Sequence, residues 1–220
     1  MQGFGGLIGF KSLALDMAPK DFVKPVDLLL RVIRQHHPMG VGEAEVVASC
    51  FKVVNVKRKT VLLLPGQTAH QLYFIVSGVL HMYYADERGL QYSCNFFMPG
   101  ELATDLESFA KQLPAGNALE ALKSTTCLSI SCKASVVLMQ QSPAFHKYAM
   151  DVIEATAMDN INRTKDLLGL PPEARYQKLL ATRPDLIREI PQKYIARFLG
   201  ISPESLSRIR NRLVTQHVPE

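Results

Sequence analysis

The sequence predicts an α+β chain: a strand-rich barrel of the jelly-roll kind, then one long helix, then a small helical unit at the carboxy terminus. Three observations predict it. Short β-branched or aromatic segments with Gly and Pro punctuation fill residues 52–131. Apolar residues then recur at steps of three and four from Ser142 to about Leu170. The last quarter of the chain carries its whole excess of positive charge.

Composition sets the frame. The chain has 220 residues, 47% of them hydrophobic and 20% charged, which suits a folded protein and excludes a disordered or low-complexity one. No stretch reaches the roughly 18 consecutive apolar residues of a spanning helix, so no membrane partner is expected. Met1 to Ala18 is apolar and Gly-rich, but its first positive charge is Lys11, inside the would-be apolar region. A secretory leader carries its basic residues ahead of that region, so a cytoplasmic location is expected. Cys50, Cys94, Cys127 and Cys132 form no C-x-x-C pair and read as small apolar residues in a reducing compartment, with redox sensing at Cys127 or Cys132 without positive support.

The elements follow in order. Pro25 to His37 reads helical from Val26, Leu29, Leu30 and Ile33, and His37-Pro38 ends it. A second short helix is expected over Gly42–Phe51. Strands are expected at 53–56, 60–64, 71–77, 79–84, 91–97, 118–122 and 126–131, separated by Pro65-Gly66, Ser77-Gly78, Asp86 to Gly89 and Pro99-Gly100. In the long helix, Met150, Ile153, Ala157, Ile161, Thr164 and Leu168 make an apolar stripe suited to packing on a second copy of itself. Gly169-Leu170-Pro171-Pro172 closes that helix. The expected organisation is an N-terminal extension at 1–24, a strand-rich barrel at 25–142, a long helix suited to self-association at 143–170 and a helix-turn-helix unit at 171–220.

Charge locates the partner. Residues 1–162 carry 14 Lys and Arg against 14 Asp and Glu, whereas 163–220 carry 11 against six, which is the chain's entire net +5. A neutral body with a basic end points to a polyanion. Within that end, Ile190 to Leu213 reads as a helix-turn-helix. Ile195, Ala196 and Leu199 form one buried face, Gly200 supplies the φ > 0 turn, and Ser202-Pro203-Glu204 is a cap, first-position and dipole sequence for the second helix. Leu206, Ile209 and Leu213 then face inward, leaving Glu204, Ser207, Arg208 and Asn211 together on the outer side. An arginine there can bond guanine twice and a glutamate can accept from cytosine. Gln192, Lys193, Arg197, Ser202, Arg210 and Arg212 complete the expected DNA contacts, the cations on phosphates.

Over about residues 25–215 the chain resembles the cyclic-AMP receptor protein / fumarate-nitrate regulator (Crp/Fnr) family of bacterial transcription factors. The resemblance rests on Tyr73-Phe74-Ile75-Val76-Ser77-Gly78, Gly100-Glu101-Leu102, the long helix, the reader helix, and a Bacteroidetes-like Glu173-Ala174-Arg175-Tyr176 run leading to Leu179-Leu180. It implies a cyclic-nucleotide-binding-like jelly-roll sensor, a dimerising helix and a winged helix-turn-helix. By similarity to an E-x-x-S-R pattern, Glu204, Ser207 and Arg208 would read a half-site like TTGA. The implied partners are double-stranded DNA, a second copy of the chain and RNA polymerase. Two half-sites would lie one turn apart, about 34 Å between recognition helices. Because the sequence ends soon after Leu213, the wing is expected to be short or to come earlier, with Ile187–Pro191 contributing.

The sensor departs from the family. In cyclic-nucleotide binders of this kind a Gly-Glu-Leu turn opens a short helix at the phosphate, and an arginine about a dozen residues on neutralises it. Gly100-Glu101-Leu102 matches, but no arginine occurs between Arg88 and Arg163, and Lys111 is the only cation near. A lysine does not reproduce the bidentate fork, so cyclic AMP is not the expected effector. Gly100, Glu101, Leu102 and Lys111 remain the candidate effector residues, with Asp105, Glu107 and Ser108 beside them. No cofactor or metal is expected; the single donors His70, His81, Met82 and Cys94 make no ligand set. Two other readings fit the barrel alone. A cupin-like metal-dependent enzyme would resemble G-x₅-H-x-H, but Gly66 is followed only by His70; a cyclic-nucleotide-binding adaptor would leave the basic reader unexplained. No enzymatic activity is expected.

Overall fold

Proline opens the first element. In a computed structural model of the chain residues 24–216 are described; the extension expected at 1–24 lies outside the described residues except for Lys24, as do residues 217–220. Pro25 occupies the first position of α1 (Pro25–His36), where its fixed φ suits the helix and its missing N–H costs nothing. The Asp27 carboxylate accepts the Lys24 N–H at 3.0 Å, and His37, extended before Pro38, ends the helix. Next come α2 (Val41–Cys50), β1 (Lys52–Val56), β2 (Val61–Leu63), β3 (Gln71–Ser77), β4 (Leu80–Ala85), β5 (Gln91–Phe97), β6 (Leu102–Ala103), α3 (Leu106–Lys111), β7 (Ala118–Ala121) and β8 (Thr125–Ser131).

The strands form two four-stranded sheets, ordered β1-β8-β3-β6 and β2-β7-β4-β5. All pairings in the first sheet are antiparallel: Val54 lies opposite Cys127, Phe74 opposite Leu128, and Tyr73 opposite Ala103. Period-two alternation sends its side chains into two apolar layers. Phe74, Val76, Leu128 and Ile130 pack with Leu29, Ile33, Val47 and Tyr148. Ile75 and Cys127 turn the other way, onto Leu63, Leu80, Phe97 and Leu119 inside the barrel. Each such side chain, at 0–1% exposure for Phe74, Ile75, Leu128 and Ile130, stabilises the fold by roughly 1.5–3 kcal/mol. Gly78 has φ +88°, and a Cβ there would come within 2.5 Å of the Ser124 carbonyl oxygen, so the β3–β4 turn accepts only glycine.

The helices after the barrel are α4 (Cys132–Gln141), α5 (Pro143–Gly169), α6 (Pro172–Thr182), α7 (Pro184–Glu189), α8 (Gln192–Phe198) and α9 (Pro203–Gln216). α4 was not expected, since the helical pattern was read only from Ser142. It is set by Ser131, whose side chain accepts the Ala134 N–H as an N-cap at the end of β8. The expected long helix is α5. Its start is fixed from α2: the Glu43 carboxylate accepts from Ser142 Oγ (2.6 Å) and the Ala144 N–H (2.9 Å), while Ser142 Oγ accepts the Phe145 N–H.

Among the described residues no strand follows Ser131. Ile187–Pro191, expected to contribute to a wing, is instead the end of α7 and the two-residue link to α8, because Pro184 starts a helix at its first position and the Ile190 N–H closes it on Leu186. The chain divides into two compact units. One comprises the residues up to Met82 with Phe96–Ala157; the other comprises Tyr83–Asn95 with the residues from Met158 on. β4, β5 and α5 therefore each contribute residues to both.

Replacing Ser142, buried at 0% exposure, by alanine removes the cap of α5 and leaves part of the Glu43 carboxylate without its donor; unfolding stability should fall by about 1–2 kcal/mol, measured by urea denaturation.

Candidate nucleic-acid interface and sensor cavity

The candidate interface is built on a helix pair with a tight turn. Leu199 ends α8 in the right-handed region, and Gly200 then adopts φ +69°. The Ile201 N–H returns to the Ala196 carbonyl at 3.0 Å and the Gly200 N–H to Arg197, which satisfies the end of α8 in Schellman fashion. Ser202 Oγ accepts the Ser205 N–H at 3.2 Å, capping α9. Ile195, Ala196, Leu199, Leu206 and Ile209 are all buried, together with Tyr176, Leu179, Leu186 and Ile190. Arg183 and Asp185 form a buried forked ion pair at 3.0–3.2 Å.

Opposite this core the polar face is open. Gln192, Lys193, Ser202, Glu204, Ser207, Arg208, Asn211 and Arg212 are exposed, and Arg197 and Arg210 are half-buried. A backbone N–H, then Ser202, then nearby Arg208 hold the Glu204 carboxyl below its ordinary range, so it is an anionic acceptor at neutral pH. Two of these cations have partners within the chain. Arg212 is paired with Glu173 at 2.7 Å, and Arg197 donates to Gln91 Oε1 at 3.2 Å. The first pair is solvent-exposed, and such pairs are weak enough to exchange for a phosphate. On α5 the six stripe residues Met150, Ile153, Ala157, Ile161, Thr164 and Leu168 are all exposed, Leu168 by 85%.

In the barrel, Gly100-Glu101-Leu102 does not open a helix. Gly100 (φ +90°) makes the turn after Met98, the Glu101 carboxylate accepts the Met98 N–H at 2.9 Å, and Leu102 enters β6. The short helix α3 starts four residues later, behind Asp105. Lys111 is exposed and paired with Glu107 at 2.8 Å. The cavity of this region, about 480 Å³, is lined instead by Leu62, Leu63, Gln67, Thr68, Ala69, His70, Gln71, Tyr73, Thr104 and Leu119. The lining residues include no lysine or arginine. Burial pushes the Tyr73 phenol above its ordinary value, so it is a neutral group at physiological pH. Beside Thr104, the buried Asp105 carboxylate accepts the Ser108 N–H at 3.1 Å and Asn117 Nδ2 at 2.9 Å.

Other candidates are accounted for individually. Burial raises the Cys127 thiol to about 11, so it stays protonated and a poor redox sensor. His70 Nδ1 lies 2.9 Å from Gln112 Oε1, and His81 is buried and stacked on Phe96 at 5.0 Å. All four cysteines are free thiols. Among the described residues no helix is long and apolar enough to cross a membrane, and no three His, Cys, Asp or Glu residues converge on a metal site.

Comparison with known proteins agrees with this layout. Residues 53–142 match the cyclic nucleotide-binding domain. The c-di-GMP responsive global regulator CLP of Xanthomonas campestris aligns with a TM-score of 0.63 at 18% identity, over 82% of this chain and 96% of its own. The catabolite activator protein of Thermus thermophilus aligns at 0.52 and 20% identity, over 89% of each chain. A structure assigned to the Crp/Fnr family of transcriptional regulators, from Eubacterium rectale, aligns at 0.62 and 15% identity, over 81% and 85%. No curated protein matches significantly. Residues 53–142 thus match the cyclic nucleotide-binding domain, α8 and α9 follow as a helix pair with a tight turn, and the chain shares the fold of these solved structures.

Gly200→Ala should lower stability by about 1–2 kcal/mol, since alanine is strained at φ > 0, and its Cβ would also press on Leu167 Cδ2 at 3.3 Å. Thermal melting and DNA affinity should fall together in this variant.

Proposed function

We propose that the chain is a sequence-specific DNA-binding regulator of the Crp/Fnr type, acting in the cytoplasm as a homodimer on a palindromic site. One observation carries the reading: α9 presents Glu204, Ser207, Arg208 and Asn211 to solvent on the side opposite buried Leu206 and Ile209. A helix in that state, behind a glycine turn and a serine cap, has the form needed to enter a major groove. Arg208 donates to guanine, the ionised Glu204 accepts from cytosine, and Lys193, Arg210 and Arg212 hold phosphates. The exposed α5 stripe supports a second copy as partner, because apolar residues at steps of three and four bury each other across a two-fold axis. RNA polymerase is the further partner this role requires.

The effector, in this reading, carries no phosphate. A cyclic nucleotide would bring its anion to a cavity whose lining holds no lysine or arginine. Burying a phosphate there without a cation is unfavourable. The neutral phenol of Tyr73 and the amides and hydroxyls of Gln67, Thr68, Gln71 and Thr104 suit an uncharged, partly apolar molecule.

Two measurements test these proposals. Binding to a site selected from random DNA should weaken by about 1–3 kcal/mol on Arg208→Ala, with discrimination relaxed at one base pair and affinity falling steeply with salt. Equal weakening on all sequences reduces Arg208 to a phosphate contact, and a flat salt response refutes the interface. For the sensor, cyclic AMP at millimolar concentration should leave the melting temperature unchanged; a clear rise overturns the assignment.

A further inference from the structure

The second compact unit contains a charge that the reading of DNA does not use. Arg163, on α5, is largely buried, and its guanidinium faces main-chain oxygens rather than a carboxylate. It donates to the Cys94 carbonyl at 2.6 Å, the Ser93 carbonyl at 2.7 Å and the Phe198 carbonyl at 3.0 Å. Its carbon lies 4.1 Å from the centre of the Phe198 ring. Ser93 and Cys94 belong to β5, the edge strand of its sheet. Phe198 is the last residue of α8, at the helix end whose dipole favours a cation. A second tie runs parallel to the first, from Arg197 to Gln91 at the start of β5.

The hairpin so held is stiff. The Asp86 carboxylate accepts the Arg88 and Leu90 N–H groups at 3.0 and 2.9 Å, and Tyr84 stacks on Tyr92 at 5.0 Å. Burial pulls Arg163 below its ordinary value, yet a guanidinium stays charged in a protein. Its desolvation is tolerable because the fork is occupied on both arms by oxygens in fixed positions. A lysine would keep the charge and lose the fork.

We propose that Arg163 is the positioning residue of the reader: its fork makes the β4–β5 hairpin and α8 one body, so that the hairpin sets the direction in which α9 is presented. This rests on the regulator reading for its consequence, though not for the clasp. Any displacement of β4 and β5 is then passed to α8 directly, and release of the fork lets the reader sample poses that fit no single site.

The test uses the full-length protein and its Arg163→Lys variant. Amide hydrogen exchange should quicken about tenfold in both 86–94 and 192–199, consistent with loss of about one strong charge-assisted bond. Exchange in β3 and β8 should not change. Affinity for a selected site should fall about tenfold, with affinity for random-sequence DNA unchanged, because the exposed cations remain. A merely structural residue would lower both affinities together. Wild-type exchange in the lysine variant, loosening of one segment alone, or an unchanged ratio of specific to non-specific affinity each overturns the proposal. Phe198→Leu keeps every carbonyl and removes only the ring; it must loosen the same two segments, to a smaller extent, and decides the clasp if the lysine variant does not fold. A wild-type protein that discriminates among no DNA sequences overturns the regulator reading and the positioning role with it, while the exchange data still decide whether the clasp exists.

Discussion

Burial of one sheet on both faces is the constraint from which the first unit follows. β3 and β8 alternate so that Phe74, Val76, Leu128 and Ile130 enter a layer shared with α1, α2 and α5, while Ile75 and Cys127 enter the barrel. A one-residue slip in register would exchange the two layers and force every side chain into the wrong volume. The helices on that face are fixed for the same reason. Glu43, on α2, takes the two donors at the start of α5 and so ties the helical layer together with a charge where an apolar contact could not. The cavity is what remains where the two sheets are not filled by side chains, between Leu62 and Leu63 on one side and Tyr73 and Thr104 on another.

Charge is handled differently in the two units. In the barrel the carboxylates and the lysine of 101–111 are taken up by the fold: Asp105 caps α3 and takes Asn117, Glu101 takes a main-chain N–H, and Lys111 takes Glu107. In the second unit some pairs are similarly internal, Arg183 with Asp185 and Lys178 with Asp166. Lys193 and Arg208 nevertheless keep exposed heads on the reader face. The net +5 of the chain is therefore a local quantity. Arg212 illustrates the boundary, since its pair with Glu173 is 61% and 32% exposed and its attraction is screened by salt, as a phosphate contact would be.

Legibility in the sequence followed the range of the interactions. The helix-turn-helix was readable because its determinants are local: Gly200 must take φ > 0, and Ser202 must cap the N–H three residues on. The strands were readable from alternation and from Gly78, whose site excludes a Cβ. α4 was missed because its cap, Ser131, is also the last residue of a strand, so that no punctuation separates them. The cavity was not readable, since its lining comes from β2, the 67–70 loop, β3, Thr104 and β7. Gly100-Glu101-Leu102 is ambiguous in sequence for a physical reason: a left-handed glycine followed by a glutamate that accepts a main-chain N–H serves a turn, the reading favoured from the sequence, as well as it serves a ligand. Arg163 left no mark, because carbonyl partners have no sequence signature.

Under the proposed function, the sheet that contributes to the cavity lining is also the sheet that carries the Arg163 clasp. β7, which supplies Leu119 to the cavity lining, is the sheet neighbour of β4, and β4 is the neighbour of β5. A ligand changes the reader only through a difference in affinity between two arrangements. The size of that difference is limited by what the ligand touches, and the proposed ligand would fill a cavity whose lining includes β2 and β7, strands of the sheet whose edge strand β5 carries Ser93 and Cys94. Main-chain ladders transmit strand displacement with little slack, because each hydrogen bond fixes its neighbours' spacing. An arginine fork at the end of such a ladder keeps that stiffness, whereas a lone ammonium would pivot. In the proposed function the two chemistries are separable: the cavity lining selects an uncharged, partly apolar molecule, and selection among DNA sequences is left to α9.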